Sequence, residues 1–372
     1  MRTEKSSDER FMKIALRLAR LGAGRVSPNP MVGAVLVKSG EVVATGFHRG
    51  YGLAHAEVEA LKKVDFQAKD MELYVNLEPC CHYGNTPPCT DAIIRAGVKR
   101  VIVGTVDRNP IVSGRGIERL REAGVEVTVG VLEQEAVQLN EGFFKWITTG
   151  FPFVTLKLAI TLDGKIADRQ MASRWVSGEK SRQIVHRMRA LSDCVMVGAG
   201  TFEADNPTLL PAVSRTSLKT PVRVVVSSNA SIEVSEKTNL LRTMDRGKVV
   251  VACGEGARKE RVEALQSLGF EVWLIKEKDG RVDVKELLRS LGSKGLVYVL
   301  AEGGAKLASS LIQEDMVDRL VLFVAPKLLG DPKAIPMVED LGVRALCEAK
   351  RFRIEALKKV GEDVLLTLRK GL

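Results

Sequence analysis

Short, valine-rich apolar runs alternate with amphipathic helical segments along most of the 372-residue chain. MELYVNL (71–77), RVIVGT (100–105) and VEVTVGV (125–131) are separated by segments with helical periodicity, and CVMVG (194–198), VRVVVSS (222–228), KVVVACG (248–254), FEVWLI (270–275) and LVYVLAEGG (296–304) continue the pattern. A strand followed by a helix returns the chain to pair in parallel, so the alternation predicts an α/β protein with largely parallel sheets. The length exceeds what one ordinary core supports and predicts two domains.

The first domain opens with a helix: Ser6 and Glu9 form a capping box, and Phe11, Ile14, Ala15 and Leu18 make one apolar stripe. MVGAVLV (31–37) and EVVATGF (41–47) flank Lys38-Ser39-Gly40 and read as a β-hairpin, and HAEVEALKKV (55–64) reads as a helix. This three-layer α/β unit is expected to span residues 1–146. Residues 147–372 form the second unit, with GFFKWITTGFPF closing one pattern and opening the next.

The start, MRTEKSSDERFMK, is charged from its second residue, and no stretch reaches the roughly 18 apolar residues of a membrane span. A cytoplasmic protein is expected, with no membrane partner. Six cysteines in such a compartment speak for metal binding or catalysis rather than disulfides. Lys and Arg exceed Asp and Glu by 56 to 46 without a basic block, which favours phosphorylated small molecules over nucleic acid. A homo-oligomer is expected.

The stretch LEPCCHYGNTPPC (77–89) leaves a strand, crosses a proline-rich loop and enters a helix at Cys89; His55 opens another helix. His55, Cys80 and Cys89 together would supply one imidazole and two thiolates to Zn²⁺ and leave a fourth position for water. Glu57, two residues beyond His55, is placed to move protons rather than to bind the metal. That combination predicts hydrolytic deamination of an amino-heterocycle, and H-x-E with a downstream P-C…C is the zinc-deaminase pattern, here with eight residues between the cysteines. Two plainer readings stand beside it. His55 and Glu57 could only cap a helix, or a closed structural site could recruit Cys81 or His82. Cys194, Cys253 and Cys347 lie in or beside apolar sequence and read as buried, inert residues.

SPNPMVGAVLV (27–37), GFHRGYGLAHAE (46–57) and LEPCCHYGNTPPC (77–89), in this order, resemble the deaminase half of the bifunctional riboflavin-biosynthesis deaminase/reductase family. The resemblance implies a cytidine-deaminase-like α/β/α domain, zinc on His55, Cys80 and Cys89, Glu57 as proton donor, and Asn29 and His48 as substrate contacts. Two positions depart from the family: Cys81 stands where Ser is usual, and Asn85 where Lys or Arg is usual.

In the second half, Gly198-Ala199-Gly200-Thr201 and AEGGAKLASSLI (301–312) both follow strands and enter helices, an arrangement suited to phosphate, although either can be a simple turn. KLAITLDGKIA, Ser173-Arg174-Trp175, VGAGT, ADNPTL and AEGG resemble the reductase half of the same family, whose fold is similar to dihydrofolate reductase. The resemblance implies that Ala159, Trp175, Thr201, Asp205, Ser228, Gly304, Ala305, Lys306 and Leu307 line an NADPH site. It likewise implies that Ser173, Arg189, Leu209 and Glu302 meet the substrate. The family's usual substrate arginine is replaced at Ala212, with Arg215 as a nearby substitute. The implied activity is zinc-dependent deamination of 2,5-diamino-6-ribosylamino-4(3H)-pyrimidinone 5′-phosphate, then NADPH-dependent reduction of its ribosyl group to ribityl. A base deaminase with an unrelated second domain, or a zinc-stabilised nucleic-acid-binding module, are the competing readings.

Overall fold

The computed structural model describes residues 2–84, 86–212 and 219–371, with side chains from residue 7 onward. The chain divides into two compact units, Met1–Gly150 and Phe151–Leu372. A boundary at 146 would fall inside the helix Glu141–Thr149.

The first unit contains α1 (Arg2–Ala19), β1 (Gly33–Lys38), β2 (Glu41–Phe47), α2 (Ala56–Lys62), β3 (Glu72–Leu77), α3 (Cys89–Arg95), β4 (Arg100–Thr105), α4 (Arg115–Glu122), β5 (Glu126–Val129), α5 (Glu133–Leu139) and α6 (Glu141–Thr149). Helix α1 begins before Ser6, so the expected capping box lies within the helix and not at its start. The sheet order is β2-β1-β3-β4-β5, with β1 antiparallel to β2 and β3, and β3, β4 and β5 parallel.

Alternation along each strand sends side chains to both faces. Val35, Val37, Tyr74 and Ile102 pack under Phe11, Met12 and Ala15 of α1. Ala34, Leu36, Leu73 and Val75 pack against Ala56, Ala60 and Leu61 of α2 and Ile93 of α3. Helices therefore cover both faces. Two glycines allow that closeness: a Cβ on Gly33 would lie 2.2 Å from the Ala15 carbonyl oxygen, and one on Gly46 would lie 2.2 Å from that of Ala56. The Gly46 contact presses the start of α2, and with it His55 and Glu57, onto the sheet.

The second unit holds β6 (Phe153–Ile160), β7 (Lys165–Ala167), α7 (Glu179–Ala190), β8 (Cys194–Gly198), α8 (Ala199–Asp205), β9 (Val222–Val226), α9 (Asn239–Arg242), β10 (Val249–Gly254), α10 (Lys259–Ser267) and β11 (Glu271–Ile275). It continues through β12 (Glu277–Lys278), β13 (Arg281–Val282), α11 (Val284–Ser293), β14 (Tyr298–Glu302), α12 (Ala305–Gln313), β15 (Arg319–Val324), β16 (Ile335–Pro336), β17 (Phe352–Val360) and β18 (Asp363–Lys370). Its main sheet runs β11-β10-β9-β8-β14-β6-β15-β18-β17. Pairing is parallel from β11 to β15 and antiparallel across β18 and β17.

The terminal hairpin β17–β18 is not anticipated above. Its strands alternate apolar and charged residues on a half-exposed surface, a weaker signal than the buried valine runs. Separate apolar clusters lie on the two faces of the sheet, one around Leu156, Met196, Val224 and Leu311, the other around Val195, Val225, Val251 and Phe270. Cys194 and Cys253 are buried, as expected, but Cys347 is exposed, in a 3₁₀ turn that also exposes Leu346. Its apolar neighbours in sequence did not bury it: no residue of that turn is buried. Among the described residues no helix is long and apolar enough to cross a membrane.

Candidate active sites

In the first unit His55 is the N-cap of α2, Cys80 follows the end of β3, and Cys89 is the first residue of α3. Two helix starts and a strand end therefore meet at one point. The ligand atoms of these three residues all lie within 4.8 Å of one another. His55 Nδ1 stands 3.3 Å from Cys89 Sγ and 3.5 Å from Cys80 Sγ, and the Cys89 amide donates to Cys80 Sγ over 3.4 Å. Nδ1 is thus the imidazole atom aimed at the sulfurs, while Nε2 lies 3.5 Å from Thr86 Oγ1. Bonding to Cys89 and His55 holds the Cys80 thiol well below the usual thiol range and pushes its partner Cys89 up. A low-lying thiol beside an imidazole and a second thiol is the soft donor set that Zn²⁺ prefers.

Glu57 lies outside that trio, 2% exposed, and its Oε2 is buried with no hydrogen-bond partner among the described residues. Burial raises its pKa to about 7, against the opposing pull of His55. A buried acceptor left open beside three metal donors fits a group that handles protons at a metal-activated water. Cys81 is not in the donor trio. His82 is not either, though its buried Nδ1 also has no partner among the described residues.

A cavity of about 390 Å³ opens over Glu57 and is lined by Asn29, His48, His82, Asp107, Asn109 and Trp146 among others. His48 Nδ1 donates to the Ala54 carbonyl over 3.1 Å, so its Nε2 accepts from Asn29 Nδ2, also over 3.1 Å. Burial lowers the His48 pKa and favours that neutral form. Asp107 is buried, and burial raises its pKa to about 6. Thr86, Asp107, Asn109 and Trp146 are not foreseen from the sequence. Asp107 and Asn109 were traceable in one respect: they leave the carboxyl end of parallel strand β4, where α/β sheets place ligands. Asn85 lies outside the described residues.

In the second unit Glu302 ends β14 and Gly304 to Leu307 follow it, Thr201 and Asp205 follow β8, and Ser228 follows β9. Gly303 and Gly304 both have positive φ, 59° and 85°, and Gly304 caps α12. A Cβ on Gly304 would lie 2.8 Å from Thr201 Oγ1, so the turn forms a cradle that only glycine leaves open. Free amides at the start of α12 add the positive end of a helix dipole. Such a cradle fits a dinucleotide's phosphates. Asp205 accepts from Ser173 Oγ over 2.6 Å, and Arg174 donates to its backbone oxygen. Trp175 is 59% exposed, with the Arg182 guanidinium 4.3 Å from its ring centroid. Ser228 Oγ accepts from the Val282 amide. Ala159 is on β6, paired with Phe323 of β15.

Arg189 clasps Glu302 with two hydrogen bonds of 2.6 and 2.9 Å, and Lys157 Nζ lies 3.6 Å from the same carboxylate. Burial alone would raise the Glu302 pKa; the two cations outweigh it and hold it at about 2. Lys157 is a further residue the sequence reading missed. Ala305 is buried, Lys306 exposed, and the side chains of Leu209 and Leu307 pack into the two cores, so these leucines offer a ligand only their backbone. At Ala212 the backbone amide donates to His186 Nδ1 over 3.1 Å. Arg215 lies outside the described residues.

This pairing of a cytidine-deaminase-like unit bearing a zinc donor set with a dihydrofolate-reductase-like α/β unit bearing a phosphate cradle defines a two-site deaminase and reductase. Comparison with known proteins agrees. Residues 5–105 match the family described as the cytidine and deoxycytidylate deaminase zinc-binding region, and residues 152–366 match the RibD C-terminal domain. The chain is 41% identical to riboflavin biosynthesis protein RibD of Aquifex aeolicus, covering 96% of this chain and 97% of the relative. It is 38% identical to that of Escherichia coli, covering 97% and 99%. Among solved structures it is similar to a deaminase/reductase from Thermotoga maritima (TM-score 0.86, 36% identity, 99% and 100% coverage). The RibD of Acinetobacter baumannii is as similar (TM-score 0.87, 34% identity, 99% and 100% coverage). The chain belongs to the RibD family, the bifunctional deaminase–reductases of riboflavin biosynthesis. Its cofactors are Zn²⁺ and NADPH.

Proposed function

We propose that the unit spanning residues 1–150 hydrolyses the 2-amino group of 2,5-diamino-6-ribosylamino-4(3H)-pyrimidinone 5′-phosphate. The unit spanning 151–372 then reduces the ribosyl group of the product to ribityl. His55, Cys80 and Cys89 hold the zinc. Bound there, Zn²⁺ supplies a Lewis acid that brings a water molecule close to ionisation at neutral pH. Glu57 takes a proton from the attacking water and delivers it to the departing amine, so water is consumed and ammonia released. Burial of Glu57 disfavours a permanent charge, as suits a group that must both accept and donate. Neutral His48 fixes the Asn29 amide through Nε2, and Asn29 orients the pyrimidine in the cavity.

In the second unit Gly304, Ala305, Lys306 and the backbone of Leu307 hold the NADPH phosphates. Ala159, Trp175, Thr201, Asp205 and Ser228 line the rest of that site. NADPH supplies the hydride. Ser173, Arg189 and Glu302, with the Leu209 backbone, position the sugar. We place the enzyme in the cytoplasm as a homo-oligomer acting on phosphorylated small molecules, and sedimentation of the purified chain tests the assembly.

The observation that carries this reading is the buried, unpartnered Glu57 oxygen beside the His55, Cys80 and Cys89 trio. The test is to follow ammonia release and NADPH oxidation together with the diaminopyrimidine substrate. A base deaminase would release ammonia without oxidising NADPH, and a binding module would do neither.

A further inference from the structure

One wall of the deaminase cavity is built by a segment that holds none of the metal donors. Residues 106–114 leave β4 and lead into α4, and Asp107, Asn109 and Val112 of that segment face the cavity. Its internal turns are tight. Asp107 Oδ1 accepts from the Asn109 amide over 2.8 Å, and Asn109 Oδ1 accepts from the Ile111 amide over 3.2 Å. Moving one end therefore moves the side chains that line the cavity.

Both ends are held by one residue at the exit of the neighbouring strand, β3. Glu78 is 3% exposed, and its Oε2 accepts from the amides of Asp107 and Gly114, over 3.0 and 2.9 Å. Its Oε1 accepts from the amides of Gly116 and Ile117, over 2.9 and 3.3 Å. The first oxygen closes the segment like a clasp. The second satisfies the free amides at the start of α4, where the helix dipole favours negative charge. The helix is pressed close: a Cβ on Gly116 would lie 2.1 Å from the Pro79 carbonyl oxygen. Glu78 and Pro79 are also the two residues immediately before Cys80. The strand exit that delivers a metal donor is thus the one that holds this wall.

We propose that Glu78 is a positioning residue for the deamination. It fixes the 107–112 wall relative to the metal donors, and so sets how tightly the substrate is held, without touching the reacting atoms. A cap serving only to stabilise α4 would change stability and leave substrate affinity alone. Glu78→Gln replaces one acceptor oxygen with an NH₂ group that faces two amides as a like donor, while the side chain keeps its shape.

The inference rests on the deaminase reading, and the experiment separates the two. In the full-length, zinc-loaded Glu78→Gln enzyme, amide hydrogen exchange at Asp107, Gly114, Gly116 and Ile117 should accelerate. The KM for deamination should rise roughly tenfold with kcat within about twofold of wild type, the signature of lost uniform binding. Zinc content and NADPH oxidation with the deaminated substrate should not change. Glu78→Asp keeps both oxygens one methylene short and should give a smaller rise, which preserves the test if the Gln variant does not fold. Faster exchange at the four amides with KM unchanged would overturn the proposal, and so would loss of zinc with collapse of kcat, which would make Glu78 a support of the metal instead. A wild-type enzyme that releases no ammonia would bring down the deaminase reading and this inference with it.

Discussion

Thr201 Oγ1 lies 2.8 Å from the position a Cβ on Gly304 would take, and Gly304 has a φ of 85°. Valine at that position would clash with Thr201, strain the backbone and fill the cradle at the start of α12. Gly304→Val should weaken NADPH binding at least roughly tenfold and slow ribosyl reduction. Deamination should continue, so the deaminated ribosyl intermediate accumulates. Titration with NADPH and assay of both reactions, on protein shown to be folded by thermal unfolding, check this. Unchanged NADPH affinity would remove Gly304 from the cofactor site.

The metal assignment separates neighbouring cysteines. Cys80→Ser or Cys89→Ser should yield protein with little zinc, because a hydroxyl is a far poorer ligand than a thiolate. Cys81→Ser should retain about one zinc per chain. Elemental analysis of the purified variants decides it, and zinc lost from the Cys81 variant would show the donor set to be wrong.

The Arg189–Glu302–Lys157 cluster makes the second unit sensitive to acid. Glu302 is held at about 2, below its ordinary 4.5, so it binds fewer protons folded than unfolded in between. Its stabilising contribution is complete above about pH 4.5 and is lost as the pH falls towards about 2. Thermal unfolding across that range should show a steep fall in Tm for wild type. Glu302→Gln should start from a lower Tm, because it leaves buried Arg189 without its counter-charge at a cost of about 3–5 kcal/mol, and should lose less on acidification. Parallel curves for the two proteins would contradict the assignment.

Legibility in the sequence followed the strength of the local signal. Most of the parallel strands were readable because their valine-rich apolar runs stand out between helical segments; β15, although buried and parallel, was not read, and neither were β17 and β18, whose composition is mixed on a half-exposed surface. His55, Glu57, Cys80 and Cys89 could be named because zinc chemistry restricts residue type and spacing. Thr86, Asp107 and Lys157 could not, since each owes its role to a contact with a residue remote in sequence, His55, Glu78 and Glu302 respectively. Cys347 shows the converse: apolar neighbours such as Leu346 predicted burial, yet both residues are exposed.

The most direct measurement is a pair of assays on Glu57→Gln. Glutamine keeps the shape but cannot shuttle the water's proton, so zinc should remain and ammonia release should fall at least roughly 10²-fold. Supplied with the already deaminated ribosyl phosphate, the same variant should oxidise NADPH at the wild-type rate, because the reductase residues all lie beyond Gly150. Near-normal ammonia release from Glu57→Gln, or loss of both activities in a folded, zinc-containing protein, would contradict the account.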